Sequence, residues 1–256
     1  MRQHRRVARL RFSMTALKEI VHTRLPKFYN VAKSAFYGFH DVFGGKAQHE
    51  IVFNKIYRTN AWGDPESVSG AGSNTVNTEV VRRELPALVR ELNAQSMLDI
   101  PCGDFFWMKD VALPVERYIG ADIVEELLQR NVRRFGDSLR TFLLLDVLKE
   151  ELPRADVILC RDLLPHFSFR QIAIALEHIK RSCSRYLLTT TYVARAANTD
   201  IQVGVFRPLN LQAEPFNFPA PLKVINEHCV YGDGMYFDKS LALWRMDDIP
   251  SQSTFV

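Results

Sequence analysis

Short apolar runs alternate with amphipathic segments from residue 79 to residue 193 of this chain. Apolar side chains that recur every third or fourth residue predict helices, whereas continuous apolar runs of about four to eight residues predict strands. The predicted helices are residues 79–93, 124–135 and 169–182. The predicted strands are residues 96–100, 117–123, 141–147, 155–161, 185–193, 222–230 and 240–247.

Strands that alternate with helices predict a parallel, doubly wound α/β sheet. Residues 141–147 and 155–161 are nearly all apolar, which predicts strands that are buried on both faces. No helical pattern separates the last two strands, so the last strand should run antiparallel to its neighbour. The predicted fold is therefore a seven-stranded, mostly parallel sheet with an antiparallel last strand, preceded by a helical extension and a lid.

The composition is 47% hydrophobic and 24% charged over 256 residues, which provides apolar mass for a sizeable core. No apolar run approaches the roughly 18 residues that span a bilayer. The basic start has no apolar stretch behind it, so a secretory signal is not expected. The four cysteines show no C-x-x-C spacing, which favours reduced thiols and a cytoplasmic location.

The net charge of +4 is unevenly distributed. Residues 1–45 carry nine Lys/Arg and two acidic residues, so a basic arm precedes a slightly acidic body. Such an arm suits an anionic membrane surface, although a solvated tail is the alternative. The absence of a basic patch with interleaved aromatic residues on the body argues against nucleic acid. The expected division is an arm at 1–50, a lid and first helix at 51–95, and the main domain at 96–249.

A polar loop follows the first predicted strand, in the segment SMLDIPCGDFFW. Ligands of open α/β sheets lie at the carboxyl ends of the strands. Pro101 and Phe106 stand where a G-x-G-x-x-G loop has glycines; Pro101 lacks an N–H for a pyrophosphate, and Phe106 blocks close helix packing. These features argue against NAD and favour a nucleoside cofactor without a pyrophosphate, such as S-adenosyl-L-methionine. The loop residues expected to bind it are Asp99, Pro101, Cys102, Gly103 and Asp104.

Two further carboxylates end the next predicted strands. Asp122 follows Asp99 by 23 residues, close to the roughly 20-residue spacing at which an acidic residue meets ribose hydroxyls. Asp146 ends the third strand, where it would accept a hydrogen bond from the adenine amino group. A single strand-terminal Asp is commonly a turn or helix cap, but three at successive strands favour a nucleoside site. The neighbours expected to complete this site are Ile123, Val147, Cys160 and Arg161.

Several of these stretches resemble a known family. LDIPCGDF, GADIVEELL, Asp146 and ADVILCRDLLPHFS, in this order, resemble class I S-adenosylmethionine-dependent methyltransferases. IYRTNAWGDPESVSGAGS and FRPLNLQAEPFNFPAP further resemble bacterial methyltransferases that modify surface polysaccharides or nodulation factors. The resemblance spans about residues 52–249 and implies a Rossmann-like fold, S-adenosyl-L-methionine as cofactor, and O-methylation of a sugar hydroxyl of a glycan or glycolipid. Pro101 departs from the family's commoner glycine.

The segment CRDLLPH (residues 160–166) leaves the fourth strand where the transferable methyl group is expected. A hydroxyl acceptor needs a general base, and His166 is the favoured candidate because an unperturbed imidazole titrates near neutrality. Asp162 would be the base itself, or would orient His166 or the acceptor. The alternative is a helix-capping Asp162 and a surface His166. If neither residue acts, Glu227 or His228 would be the next candidates.

The polar, glycine-rich residues 57–73 predict a lid over the cofactor, although a plain surface loop is the alternative. In the lid, Trp62 would shield the cofactor, and Arg58 or Ser73 would lie near its methionine carboxylate. Residues 194–221 form a long insertion that would either contact a sugar or pack as a cover. No metal-ligand spacing is present. Phosphate-type, nitrogen and RNA acceptors, and a non-catalytic binding module, stay as alternatives.

Overall fold

The computed structural model describes residues 47–251, so residues 1–46 of the predicted basic arm lie outside the described residues. The described chain contains four α-helices: α1 (Gln48–Thr59), α2 (Glu79–Glu91), α3 (Glu125–Phe135) and α4 (Phe169–Arg181). Its strands are β1 (Ser96–Asp99), β2 (Arg117–Asp122), β3 (Arg140–Leu144), β4 (Val157–Cys160), β5 (Tyr186–Tyr192), β6 (Lys223–Asn226) and β7 (Lys239–Arg245).

The seven strands form one sheet in the order β3-β2-β1-β4-β5-β7-β6. Strands β1 to β5 are mutually parallel, and β7 runs antiparallel to both β5 and β6. The predicted sheet is thus confirmed, including its antiparallel last strand. Strand order reverses between β1 and β4, so the connections that leave these two strands diverge. A crevice opens between them at the carboxyl ends of the strands.

The helices that flank the sheet pack on the core through one apolar face. In α4, the buried residues Ile172, Leu176 and Ile179 lie on one face, and Ser168 and Gln171 form a capping box at the start. Pro86 lies inside α2, and the helix continues through it with its buried face packed on the core. No helix among residues 47–251 is long and apolar enough to cross a bilayer.

Two crossovers between parallel strands contain no α-helix within the described chain. Residues 100–116, which follow β1, contain one 3-10 turn at Met108–Asp110, and residues 145–156, which follow β3, contain no helix. The loop after β1 therefore presents no α-helix N-terminus to an anion. Because a dinucleotide pyrophosphate uses such a terminus, this geometry agrees with the argument against NAD.

Burial differs between the two strands that were predicted to be covered on both faces. Every residue of β4 is buried, as predicted. Strand β3 is the edge of the sheet, where Phe142 is buried but Leu143 and Leu144 are 40% and 55% exposed. The prediction was wrong for β3, because no helix follows this edge strand to cover its second face.

Candidate active site

A cavity of about 230 Å³ lies at the carboxyl ends of the parallel strands, between the loops after β1 and β4. Its other walls come from helix α1, from the lid (residues 57–73), and from residues of β5, of the insertion at 194–221 and of the segment from β6 to the start of β7. The predicted site residues that line it are Trp62, Ser73, Asp99, Pro101, Cys102, Gly103, Asp104, Asp122, Ile123, Asp146, Val147, Arg161, Asp162 and His166. Residues far apart in the sequence are therefore brought together as predicted, and the sheet order places the carboxylates over β1 to β3.

Two predicted cofactor-site residues in the described chain do not line the cavity. The guanidinium Nε of Arg58 lies 3.6 Å from Oε2 of Glu126, and both side chains are mostly exposed. Cys160 is fully buried inside β4, where burial raises the pKa of its thiol to about 12. The predicted contacts of Arg58 and Cys160 with the cofactor are therefore corrected: one side chain is on the surface and the other is in the core.

Asp99 and Asp122 end β1 and β2 and are both buried. Asp99 accepts a hydrogen bond from the Tyr118 hydroxyl, and Asp122 accepts hydrogen bonds from the backbone N–H groups of Gly103 (3.1 Å) and Val124 (3.0 Å). Burial raises the pKa of Asp99 to about 7 and that of Asp122 to about 6. Such desolvated carboxylates favour a ligand that brings positive charge or hydroxyl donors.

Asp146 lies in the cavity wall, but its carboxylate already has protein partners. His49 Nε2, on α1, lies 2.8 Å from Asp146 Oδ2, and the backbone N–H of Leu148 donates to Oδ1 at 3.0 Å. Burial alone raises the pKa of Asp146, but these hydrogen bonds outweigh it, and the pKa is lowered. His49 is a cavity residue that no sequence pattern identified, and any adenine amino group must share Asp146 with it.

Asp104 holds the lid against the loop after β1. Its carboxylate accepts hydrogen bonds from the hydroxyl of Ser67 (3.0 Å), the N–H of Val68 (3.0 Å) and the hydroxyl of Ser69 (3.4 Å). Gly103 has a φ of 53°, and a Cβ at this position would lie 2.3 Å from Ser69 Oγ. Gly103 thus permits the close approach, and the carboxylate of Asp104 is engaged by the lid.

Aromatic rings wall the side of the cavity that lies over β4 and β5. The His166 ring lies 5.1 Å from the Trp62 ring and 5.6 Å from the Phe206 ring, measured between centroids. Tyr192 and Tyr236 extend this wall, with centroids 6.1 and 5.3 Å from Phe206. The buried indole Nε1 of Trp62 has no hydrogen-bond partner in the described chain. We call these five residues the aromatic side of the cavity.

The insertion at residues 194–221 packs mainly as a cover. Phe206 lines the cavity, whereas Phe216 and Phe218 are buried in the core. Arg207 is also buried, and its Nη1 donates to the carbonyl of Pro165 at 2.9 Å, directly before His166. Burial lowers the pKa of Arg207 to about 10. The insertion therefore supports the segment that carries His166.

Asp162 faces the cavity but does not cap the following helix. Its backbone has a φ of 58°, in the left-handed region, and its carboxylate Oδ2 lies 2.6 Å from Lys239 Nζ. Burial by itself raises the pKa of Asp162, but Lys239 and Arg161 outweigh this effect and hold it at about 2. Ser168 caps the helix instead. Asp162 therefore stays ionised and is a weak base near neutrality.

Glu227 and Lys239 complete a group of buried charges behind Asp162. Arg161 Nη2 lies 2.6 Å from Glu227 Oε2 and donates at 2.7 Å to the carbonyl of Gly72 in the lid. Lys239 lines the cavity, whereas His228 is exposed and lies outside its lining. Sequence patterns gave no signal for Lys239, which is the first residue of an apolar strand. No metal-binding group occurs among residues 47–251.

No family model matches this chain, and no curated protein sequence matches it. The N-methyltransferase NodS from Bradyrhizobium japonicum WM9, solved with S-adenosyl-L-homocysteine, is 14% identical, with a TM-score of 0.52 over 74% of this chain and 97% of that one. Human N-acetylserotonin methyltransferase, solved with S-adenosylmethionine, is also 14% identical, with a TM-score of 0.52 over 89% of this chain and 69% of that one.

The methyltransferase domain of bacterial CtHen1-C is 12% identical and has a TM-score of 0.41, too low to carry an argument. That match covers 45% of this chain and 66% of the other, so this chain spans slightly less than two thirds of it. The likenesses to NodS and to the human enzyme, together with the strand order, establish the fold. The chain has the Rossmann-like fold of class I methyltransferases, as its sequence predicts.

Proposed function

We propose that this chain is an S-adenosylmethionine-dependent methyltransferase that O-methylates a sugar hydroxyl of a glycan or glycolipid. One observation carries the proposal: a single cavity joins the strand-end carboxylates of β1 and β2 to an aromatic side that contains His166. A cofactor held by Asp99 and Asp122 would thus lie beside a group that can accept a proton. Cofactor and acceptor would share one enclosed space.

The donor and acceptor groups of the cavity suit S-adenosylmethionine. This cofactor carries a net positive charge and offers hydrogen-bond donors: an ammonium group, two ribose hydroxyls and an adenine amino group. The cavity supplies buried carboxylates, of which Asp122 would accept from the ribose hydroxyls and Asp99 would lie near the ammonium group. When bound, the cofactor supplies an electrophilic methyl group on its sulfonium. The pyrophosphate of NAD would instead meet carboxylates of the same sign.

His166 is the residue that we propose as general base. A sugar hydroxyl must lose its proton as the new bond to carbon forms, and an imidazole near neutrality suits this task. Asp162, held ionised by Lys239 and Arg161, would stabilise the imidazolium that results. Trp62, which packs beside His166 from the lid, would shield the reacting groups from water.

The aromatic side suits a sugar acceptor. Sugars present apolar C–H faces that pack on rings such as Phe206 and Tyr236, and oxygens that accept hydrogen bonds. The buried N–H of Trp62, which has no partner in the described chain, would donate to such an oxygen. A nitrogen acceptor is the second candidate, because an ionised Asp162 would also attract an amine. NodS is itself described as an N-methyltransferase.

Methyl transfer from labelled S-adenosylmethionine to a panel of neutral glycans, glycolipids, amino sugars and RNA tests the proposal. We expect a glycan or glycolipid to be labelled at oxygen. His166→Gln should lower turnover by about 10²–10⁴-fold with little change in cofactor affinity, because a general base acts in the transition state. His228→Asn, at an exposed position outside the cavity, is the control and should keep full turnover.

Labelling at nitrogen alone would replace the sugar hydroxyl with an amine as the acceptor. Failure to bind S-adenosylmethionine in calorimetry would overturn both. If His166→Gln and Asp162→Asn both keep full turnover, the base lies elsewhere or the acceptor is already ionised and needs none; the second case would favour a phosphate-type acceptor.

A further inference from the structure

Four charged side chains form a closed cluster at the edge of the cavity, which we call the charge network: Arg161, Asp162, Glu227 and Lys239. Lys239 Nζ lies 2.6 Å from Asp162 Oδ2 and 3.1 Å from Glu227 Oε2. Arg161 contacts the same two carboxylates, at 2.6 Å from Glu227 Oε2 and 3.3 Å from Asp162 Oδ2. Two cations and two anions thus alternate around the cluster, and its net charge is zero.

Burying the four charges of the network costs free energy of desolvation, and Asp162 is its most exposed member. The side chains of Arg161, Glu227 and Lys239 are 3%, 0% and 4% exposed, whereas that of Asp162 is 25% exposed. Buried ion pairs commonly stabilise a protein no better than apolar side chains of the same volume. Asp162 also has a strained left-handed backbone, a feature that concentrates at functional sites. Both observations indicate that the network presents one carboxylate, that of Asp162, to the cavity.

His166 is the neighbour on which this carboxylate would act. It follows Asp162 by one 3-10 turn, Leu164–His166, and both side chains line the cavity. An anion held near an imidazole favours its protonated form. The same anion therefore favours removal of a proton from the acceptor.

We propose that Lys239 and Glu227 are positioning residues, which act through Asp162 and balance the charge beside His166. This inference rests on the proposed role of His166 as general base. Lys239 orients the carboxylate of Asp162 and keeps it ionised, while Glu227 neutralises the second cation, Arg161. The four charges together hold the field at His166 within the range that a base near neutrality needs.

Removing a cation from the network should favour the protonated form of His166, and removing an anion should disfavour it. Lys239→Met leaves a net charge of −1 in the network, which favours the imidazolium, whereas Glu227→Gln leaves +1 and disfavours it. The double variant returns the net charge to zero. The other ionisable groups that line the cavity, among them Tyr192, Cys229, Tyr231 and Tyr236, are unchanged in all three proteins, as is Arg207, which adjoins the segment of His166.

The experiment is an NMR titration of the His166 imidazole in the full-length protein without ligands. We expect the midpoint to rise by about one pH unit in Lys239→Met, to fall by about one pH unit in Glu227→Gln, and to return to near the wild-type value in the double variant. In the pH dependence of kcat, the midpoint of the acidic limb should shift in the same direction as the NMR midpoint in each variant. Lys223→Met and Glu91→Gln, which break an ion pair on the surface, are the matched controls and should not move the midpoint.

Midpoints that shift in the same direction in both variants, or that do not shift, would overturn the inference. If Lys239→Met fails to fold, Lys239→Gln, which keeps a polar side chain and also leaves −1, substitutes for it. If Glu227→Gln fails to fold, Asp162→Asn substitutes for it, because asparagine tolerates the left-handed backbone and the side chain of residue 162 reaches the cavity. This variant also leaves +1 in the network, so the midpoint should fall. The titration does not depend on methyl transfer. The midpoints can therefore fail to shift in a protein that methylates a glycan, and they can shift as expected in a protein that does not.

Discussion

The carboxylate of Asp104 accepts a hydrogen bond of 3.0 Å from the hydroxyl of Ser67, 37 residues earlier in the chain. Both side chains are buried, and the backbone N–H of Val68 adds a second bond to the same carboxylate. This contact fastens the lid to the loop that follows β1. The loop that would hold the cofactor and the lid that would enclose it are therefore joined at Asp104, whose backbone N–H also donates to the hydroxyl of Ser69 at 3.1 Å.

Releasing this contact should loosen the lid. Asp104→Asn removes the negative charge that Ser67 and Val68 donate to, and hydrogen bonds to charged groups contribute about 1.5–3 kcal/mol each. We expect S-adenosylmethionine affinity to fall by about 10–100-fold, with faster dissociation in stopped-flow fluorescence. Asp110→Asn, an exposed carboxylate in the same connection, is the control. Equal dissociation rates in the two variants would show that Asp104 does not control the lid.

Asp122 should contribute directly to cofactor affinity. Asp122→Ala removes the carboxylate that would accept from the ribose hydroxyls, at an expected cost of about 1–3 kcal/mol in binding free energy. Calorimetry should show weaker binding of S-adenosylmethionine, and no binding of NAD by either protein. Asp137→Asn, on the surface between α3 and β3, should bind like the wild type. Unchanged affinity in Asp122→Ala would contradict the assignment.

Cofactor affinity should decrease as the pH falls. The pKa of Asp99 is raised to about 7 and that of Asp122 to about 6, both mainly by burial, so acidification neutralises the carboxylates that would face a cationic ligand. Binding near pH 6 should release protons, which calorimetry in buffers of different ionisation enthalpy measures. Tyr118→Phe removes the hydrogen bond that lowers the pKa of Asp99, so the midpoint should move to higher pH. An affinity that is constant from pH 5 to 8 would refute this prediction.

The pH dependence that Asp99 gives to the stability of the ligand-free protein should be opposite in sign to that of cofactor affinity: stability should decrease as the pH rises. The folded-state pKa of Asp99 lies above the usual value, so its contribution to stability is present below about pH 4 and is lost as the pH rises through about 7. Asp99→Asn should therefore raise Tm at pH 8 and leave it nearly unchanged at pH 4. A lower Tm at pH 8 would contradict the sign.

The basic arm should be dispensable for cofactor binding. All cavity-lining residues of the described chain lie at position 49 or later, so deletion of residues 1–40 should leave S-adenosylmethionine affinity unchanged. If the arm acts at a membrane surface, the full-length protein should bind anionic vesicles, and salt should weaken this binding. The truncated protein should lose vesicle binding. A truncated protein that no longer folds would instead make the arm part of the core.

Local sequence patterns were sufficient to predict the strands of the sheet and the position of the cavity. Strand and helix patterns depend on side chains within about ten consecutive residues, so periodicity alone located β1 to β7. The antiparallel last strand followed from a connection without a helix. Because the carboxyl ends of parallel strands meet at one edge, Asp99, Asp122, Asp162 and His166 were predicted to lie together, and the cavity contains all four.

The hydrogen-bond and ion-pair partners of the site residues could not be predicted from these patterns, because the contacts form only in the folded protein. The carboxylate of Asp104 holds the lid, Asp146 shares a hydrogen bond with His49 across 97 residues, and Lys239 lies against Asp162 across 77. The side chain of Arg58 lies on the surface, and Leu143 and Leu144 of the edge strand β3 are exposed. Periodicity specifies the face on which a residue lies, but its contacts depend on segments that are distant in sequence and meet only when the chain folds.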